Sequence, residues 1–125
     1  MQIKTKKMTV KVSESIGSVS AELIETSAPD ALYVFAHGAG AGMNHSFMVA
    51  LAKALAERSI GTIRFNFPFV EKGAKRPDVP AVAQTTVTQV IEQANRLYGG
   101  VPLLAGGKSF GGRMTSHCMA THPDL

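Results

Sequence analysis

Residues 105–112 read AGGKSFGG, and the fold turns on how those letters are parsed. One parse takes Gly107-Lys108-Ser109 as the end of a phosphate-binding loop. The other takes Gly107, Ser109 and Gly111 as the G-x-S-x-G of a nucleophile elbow. A phosphate loop has the form G-x-x-x-x-G-K-[ST], because a wide, glycine-started loop must wrap its N–H groups around the phosphates. Its first glycine falls at position 102, which is Pro102, and residues 102–105 are PLLA, apolar strand material. The motif fails on both counts. The elbow needs a strand that turns into a helix through a strained serine, with small residues two positions either side so that strand and helix pass closely. Gly107 and Gly111 supply that spacing, and Gly106 and Gly112 relax it further. An apolar strand candidate, VPLLAG (101–106), precedes the turn, and a stretch compatible with helix runs from Phe110 to about Ala120. In that setting the elbow is a better reading than a glycine-rich turn with an idle serine.

Working outward, strands and helices alternate. Met8, Val10 and Val12 alternate with Lys7, Thr9 and Lys11, and after Gly17 the residues Val19, Ala21 and Leu23 alternate with Ser18, Ser20 and Glu22. This two-residue period predicts a half-buried antiparallel pair. ALYVFA (31–36) has no alternation, as expected of a strand covered on both faces in a parallel sheet. A glycine-rich turn, HGAGAG (37–42), leads to a helix capped by Asn44, with Phe47, Met48, Leu51, Ala52 and Leu55 at helical spacing and Gly61 as its stop. TIRFNF (62–67) is the next strand. The loop PFVEKGAKRPD leads to a second helix capped by Asp78, with Pro80 in its first turn, a buried face of Ala83, Val87, Val90, Ile91 and Ala94, and Gly99-Gly100 at its end. The class is α/β: a mainly parallel sheet with flanking helices in three layers. Strand 62–67 is expected beside strand 31–36, with strand 101–106 on its other side. That order brings the loop after His37 next to the elbow.

The HGAGAG loop has a chemical use. A tetrahedral intermediate is stabilised by the backbone N–H after the nucleophile and by a second N–H from an earlier strand-to-helix loop. Phe110 is the first candidate donor and Ala39 the second, with Gly38 and Gly40 letting the backbone amides converge. Viewed alone, those glycines are equally well explained as turn chemistry.

The totals narrow the field. At 125 residues the chain is a single domain, 1–125, and with 45% hydrophobic and 18% charged residues it is globular. A formal charge of +4 is scattered, apart from Lys4, Lys6 and Lys7 and the loop cations Lys72, Lys75 and Arg76. That argues against a nucleic-acid partner. One cysteine, Cys118, precludes an internal disulfide; with no leader-like or spanning apolar run, the expected location is cytoplasmic and no membrane partner is expected. The histidines lack ligand spacing, so neither metal nor cofactor is expected.

Three stretches, AHGAGAGMNHSFM, IRFNFPFVEKGAKRPD and LLAGGKSFGGRM, occur in that order. From about residue 30 onward the chain resembles the α/β-hydrolase superfamily. Within it, the chain resembles the small dienelactone-hydrolase-related branch that includes the testis-expressed protein 30 type and the hydrolase-like domain of the NSL complex third subunit. The resemblance implies Ser109 as nucleophile, the loop after His37 as part of the oxyanion hole, and His37 itself as a structural residue holding that loop. It implies a serine hydrolase acting on a small ester, thioester or lactone; the alternative is a non-catalytic interaction domain, a role that some members of the branch serve.

In this fold an acid and then a histidine follow the serine. His117 lies eight residues beyond Ser109, about 12 Å of helical rise away. His122 is farther, and Asp124 comes after both. His117 and His122 are therefore read as surface residues and Cys118 as core, while His45 stands at the mouth of the oxyanion loop. Phe67, Phe69 and Met43 are candidate pocket walls. The chain is expected to be the N-terminal part of a longer domain, nearly inert by itself. Strand 101–106 is then an exposed apolar edge through which copies can associate.

Overall fold

The structure, a computed structural model, describes residues 3–122. The first two strands, β1 (Ile3–Ser13) and β2 (Gly17–Thr26), form the expected antiparallel hairpin. Val10 faces Val19 and Met8 faces Ala21 across it. Then come β3 (Ala31–Ala36), α1 (Ser46–Ala56), β4 (Ile60–Phe65), α2 (Pro68–Glu71), α3 (Pro80–Leu97), β5 (Leu103–Gly107) and α4 (Phe110–Thr121). The sheet order is β1-β2-β4-β3-β5. β3 lies between β4 and β5 and is parallel to both, as the apolar runs predict, while β2 runs antiparallel to β4.

The two-residue period of the strands divides the packing into layers. Leu23, Val34, Ile63 and Phe65 belong to the main core with Val87, Ile91 and Ala94 of α3 and Met114 and Cys118 of α4. Ile24 packs with Ala52 and Ala56 of α1 in a second, smaller cluster. α3 is rich in β-branched residues such as Val82, Thr85, Thr86 and Val87, which are modest helix formers. Its buried stripe holds it in place, since each large apolar side chain buried is worth about 1.5–3 kcal/mol. β5 forms one edge of the described sheet, and Leu104 on it is 51% exposed.

Several local expectations are corrected. Gly61 does not stop α1, which ends at Ala56; it lies inside β4, where a Cβ would meet Leu32 Cδ1 at 3.1 Å and the Ile24 carbonyl at 3.2 Å. His45, not Asn44, caps α1, its Nδ1 accepting from Phe47 N–H at 3.2 Å. Asp78 does not cap α3, whose N-cap is Val79. Its carboxylate accepts from Phe69 N–H at 3.0 Å and so satisfies the first turn of α2, a helix lying within the stretch read as loop. At four residues α2 is too short to show a period.

Candidate active site

β3, β4 and β5 are parallel, so the segments that follow them gather at one edge of the sheet, beyond its carboxyl ends. There Ser109 connects β5 to α4 with φ 53° and ψ −116°. A side chain at positive φ is uncommon and costs about 1–3 kcal/mol, so such a residue persists only where its surroundings over-determine it. Here they do. Lys108 N–H donates to the Ala36 carbonyl at 3.0 Å, Gly111 N–H to Lys108 O at 3.1 Å, and Arg113 N–H to Ser109 O at 2.9 Å. A Cβ on Gly107 would lie 2.5 Å from Ala36 O, and one on Gly111 only 2.3 Å from His37 O. Strand and helix cross at a separation that only glycine allows. Beneath the turn, the buried Phe110 ring meets Phe67 edge-on at 5.2 Å and Phe69 at 6.1 Å.

The loop after β3 is fixed by His37, which is buried. Its Nε2 accepts from Phe67 N–H at 3.0 Å. The ring proton is therefore on Nδ1, which donates to the Gly38 carbonyl at 2.7 Å. Burial lowers the His37 pKa, outweighing the upward pull of the Gly38 bond and of Asp78, and the neutral ring is the form these two bonds require. From this anchor the chain passes directly against the elbow: a Cβ on Gly38 would sit 3.4 Å from Lys108 O and 3.7 Å from Ser109 Cβ.

Ser109, Lys108, His37, the backbone of residues 38–42, His45 and Met48 line a cleft of about 320 Å³. The N–H of Phe110 is the first of α4 and has no intrahelical acceptor. That of Ala39 has no backbone acceptor among the described residues. Lys108 Nζ stands over the Phe47 ring, 5.2 Å from its centroid. A larger cleft of about 710 Å³ runs between the β1–β2 hairpin and Met43-Asn44 and does not include Ser109.

The other singled-out residues divide. His45 does line the cleft, but its Nδ1 is engaged as the α1 cap, accepting from Phe47 N–H. No carboxylate lines the cleft. His117 and His122 are exposed, Cys118 is buried, and Asp124 lies outside the described residues. Phe67 belongs to the core and not to a pocket wall, Phe69 lines a neighbouring cleft with Lys75, and Met43 lines the larger one. Lys72, Lys75 and Arg76 are exposed. Among the described residues no cluster could hold a metal ion, and no helix is long and apolar enough to cross a membrane.

Residues 29–124 match the family described as "Alpha/beta hydrolase domain". The chain belongs to that family. No curated protein matches it. The α/β hydrolase domain superposes on an alpha-beta serine hydrolase homologue from Coxiella burnetii with a TM-score of 0.76 at 21% identity, covering 91% of this chain and 56% of that one. Against a dienelactone hydrolase from Anabaena variabilis the TM-score is 0.77 at 16% identity, covering 99% and 60%. Against an α/β serine hydrolase without lid from Xanthomonas campestris it is 0.79 at 20% identity, covering 97% and 58%. These likenesses establish the fold. The chain spans less than two thirds of the length of each of these three structures.

Sequence reasoning missed three polar residues, Glu22, Arg64 and Asn66, which hold the far end of the loop. Arg64 Nη1 donates to the Met43 carbonyl at 2.8 Å, and Asn66 Oδ1 accepts from Met43 N–H at 2.9 Å. The signal available was an arginine between two apolar residues, Ile63 and Phe65, of a strand read as buried.

Proposed function

We propose that this α/β hydrolase domain carries the nucleophile of a serine hydrolase acting on a small ester, thioester or lactone. The kinship with the small dienelactone-hydrolase-related branch belongs to this proposal. The observation that carries it is the positive-φ backbone of Ser109, held by glycine crossings and packed against the loop at Gly38, whose 38–42 amides donate to no backbone carbonyl among the described residues. Ser109 Oγ attacks the substrate carbonyl and loses its proton to a base. The carbonyl oxygen becomes an oxyanion held by the N–H groups of Phe110 and Ala39, and its collapse expels the alcohol or thiol moiety, which takes the proton back from the base. Water then repeats the attack on the acyl-enzyme, releasing the acid and restoring Ser109. One oxyanion donor of this kind is worth about 10²–10³ in kcat.

The base and its orienting carboxylate are not among the residues lining the cleft. The 125-residue chain by itself is therefore nearly inert, since an oxyanion hole and binding alone leave only about 10³–10⁴ over water. The proposal is tested with short-chain p-nitrophenyl esters, thioesters and lactones. They are offered to a longer form that carries a carboxylate and a histidine C-terminal to α4. Turnover that disappears in Ser109→Ala supports it. A folded longer form with no turnover above Ser109→Ala favours the non-catalytic interaction domain.

A further inference from the structure

We propose that Glu22, Arg64 and Asn66 are positioning residues that hold the 38–43 backbone in its donor conformation, an inference that rests on reading this loop as the oxyanion donor. Arg64 is the starting point. Its side chain is 2% exposed next to the carboxyl end of β4, on the sheet face opposite the Ile63 and Phe65 core. Burying a guanidinium costs several kcal/mol unless its donors are matched, so an apolar side chain would suit simple packing better. The two terminal nitrogens of the guanidinium are directed to two targets, while its buried Nε has no partner among the described residues. Nη2 pairs with the carboxylate of Glu22, the residue directly opposite in the β2–β4 register, and Nη1 donates to the Met43 carbonyl at 2.8 Å.

Asn66, two residues after Arg64, completes the grip. Its Oδ1 accepts from Met43 N–H at 2.9 Å, so both polar groups of the Met43 backbone are fixed from β4 and its exit. Gly42 shows how closely this fits. A Cβ there would lie 2.8 Å from Asn66 Oδ1 and 2.9 Å from Val70 Cγ1, so the amide reaches Met43 only because residue 42 has no side chain. His37 anchors one end of the loop and the Glu22–Arg64–Asn66 set anchors the other. The amides between them, Ala39 included, donate to no backbone carbonyl among the described residues. None of the three residues appears in the lining of the Ser109 cleft, so they act through Met43. The stake is geometric: misplacing a catalytic group by about 1 Å can cost on the order of 10²-fold in rate.

The test is amide hydrogen exchange and ¹H–¹⁵N spectroscopy of the 125-residue chain, with global stability measured in parallel by urea unfolding. Asn66→Leu removes the acceptor, while Asn66→Asp keeps it. The expected result for Asn66→Leu is at least about tenfold faster exchange of the Met43 amide relative to Ile63 and Phe65, with shifted Gly38–Gly42 cross-peaks; Asn66→Asp restores both. Arg64→Met is expected to shift the same peaks and Arg64→Lys to recover part of the change. If Arg64 variants fail to fold, the Asn66 pair decides alone. Exchange that rises uniformly with lost stability, with the loop peaks unmoved, would mean that these residues only hold the fold together and would overturn the proposal. Because the readout involves no catalysis, a loop that loosens beside an unreactive Ser109 would sink the hydrolase reading and leave the positioning role standing.

Discussion

Gly111→Ala separates helix propensity from the geometry of the elbow. Gly111 is the second residue of α4, and in a helix alanine is favoured over glycine by about 1 kcal/mol. Propensity alone therefore predicts a more stable protein. The structure predicts the reverse. The new Cβ would lie 2.3 Å from His37 O, 2.7 Å from Ala36 C and 2.8 Å from Ala36 Cβ, all at or just past the end of β3. No rotamer relieves contacts with backbone, so α4 and β3 must separate by about an ångström, and overpacking of this kind costs roughly 1–3 kcal/mol, occasionally more. The contacts are too short for the low end of that range, so after the propensity gain the expected net loss is about 2 kcal/mol, or roughly 6–10 °C in Tm for a domain of this size. Urea unfolding should show a lower midpoint with an unchanged slope. Gly40→Ala is the control: a Cβ there meets nothing within 4 Å, so its stability should stay within about 0.5 kcal/mol of the parent. A Gly111→Ala protein as stable as the parent would refute the close crossing on which the elbow reading depends.

Three further outcomes are expected. Ser109→Gly should raise stability by about 1 kcal/mol in urea, because glycine adopts φ 53° without strain; a loss would argue that the serine backbone is relaxed. The pKa of His37 is lowered from 6.5 by burial, so the unfolded chain takes up the proton first. Its contribution is complete above about pH 6.5 and is lost as pH falls toward the folded-state value. His37→Ala should be less stable at neutral pH and should lack that acid-side slope between pH 7.5 and 5.5. The Tyr98 pKa is pushed up to about 12 by burial and by its hydrogen bond to Glu25. The protonated phenol favours the fold, so stability is full below about pH 10 and falls toward pH 12; Tyr98→Phe should shrink that alkaline slope, leaving the part due to Tyr33, also raised by burial.

The elements with strong local signals were legible from the letters alone. ALYVFA reads as a doubly covered strand because its residues are apolar throughout, and the hairpin reads as a pair because Lys7–Val12 and Ser18–Leu23 alternate. The close strand-to-helix crossing around Ser109 was legible because Gly107 and Gly111 have one spacing that lets two backbones cross. What could not be read was anything set by one partner choosing among several. Asp78 precedes a proline-led helix and looks like its cap, yet its carboxylate serves Phe69 of a four-residue helix that has no period of its own. Asn44 and His45 are adjacent and both can cap; the backbone chose His45, which also set its tautomer. Arg64 is the sharpest case, since only the β2–β4 register reveals that Glu22 lies opposite to receive it.

The central claim is that Ser109 is a nucleophile, and a fluorophosphonate probe with intact-mass and peptide readout tests it most directly. Three samples suffice: the 125-residue chain, a longer form carrying a carboxylate and a histidine C-terminal to α4, and the longer form with Ser109→Ala. The expected result is stoichiometric labelling of the longer form on the peptide holding Ser109, none in the Ser109→Ala protein, and slow labelling at most of the 125-residue chain, whose cleft is lined by no carboxylate and by two imidazoles already engaged with backbone N–H groups. A longer form that folds but takes no label, or takes it on another residue, would contradict the account. Fast, stoichiometric labelling of the 125-residue chain would show that a base within these 125 residues activates Ser109.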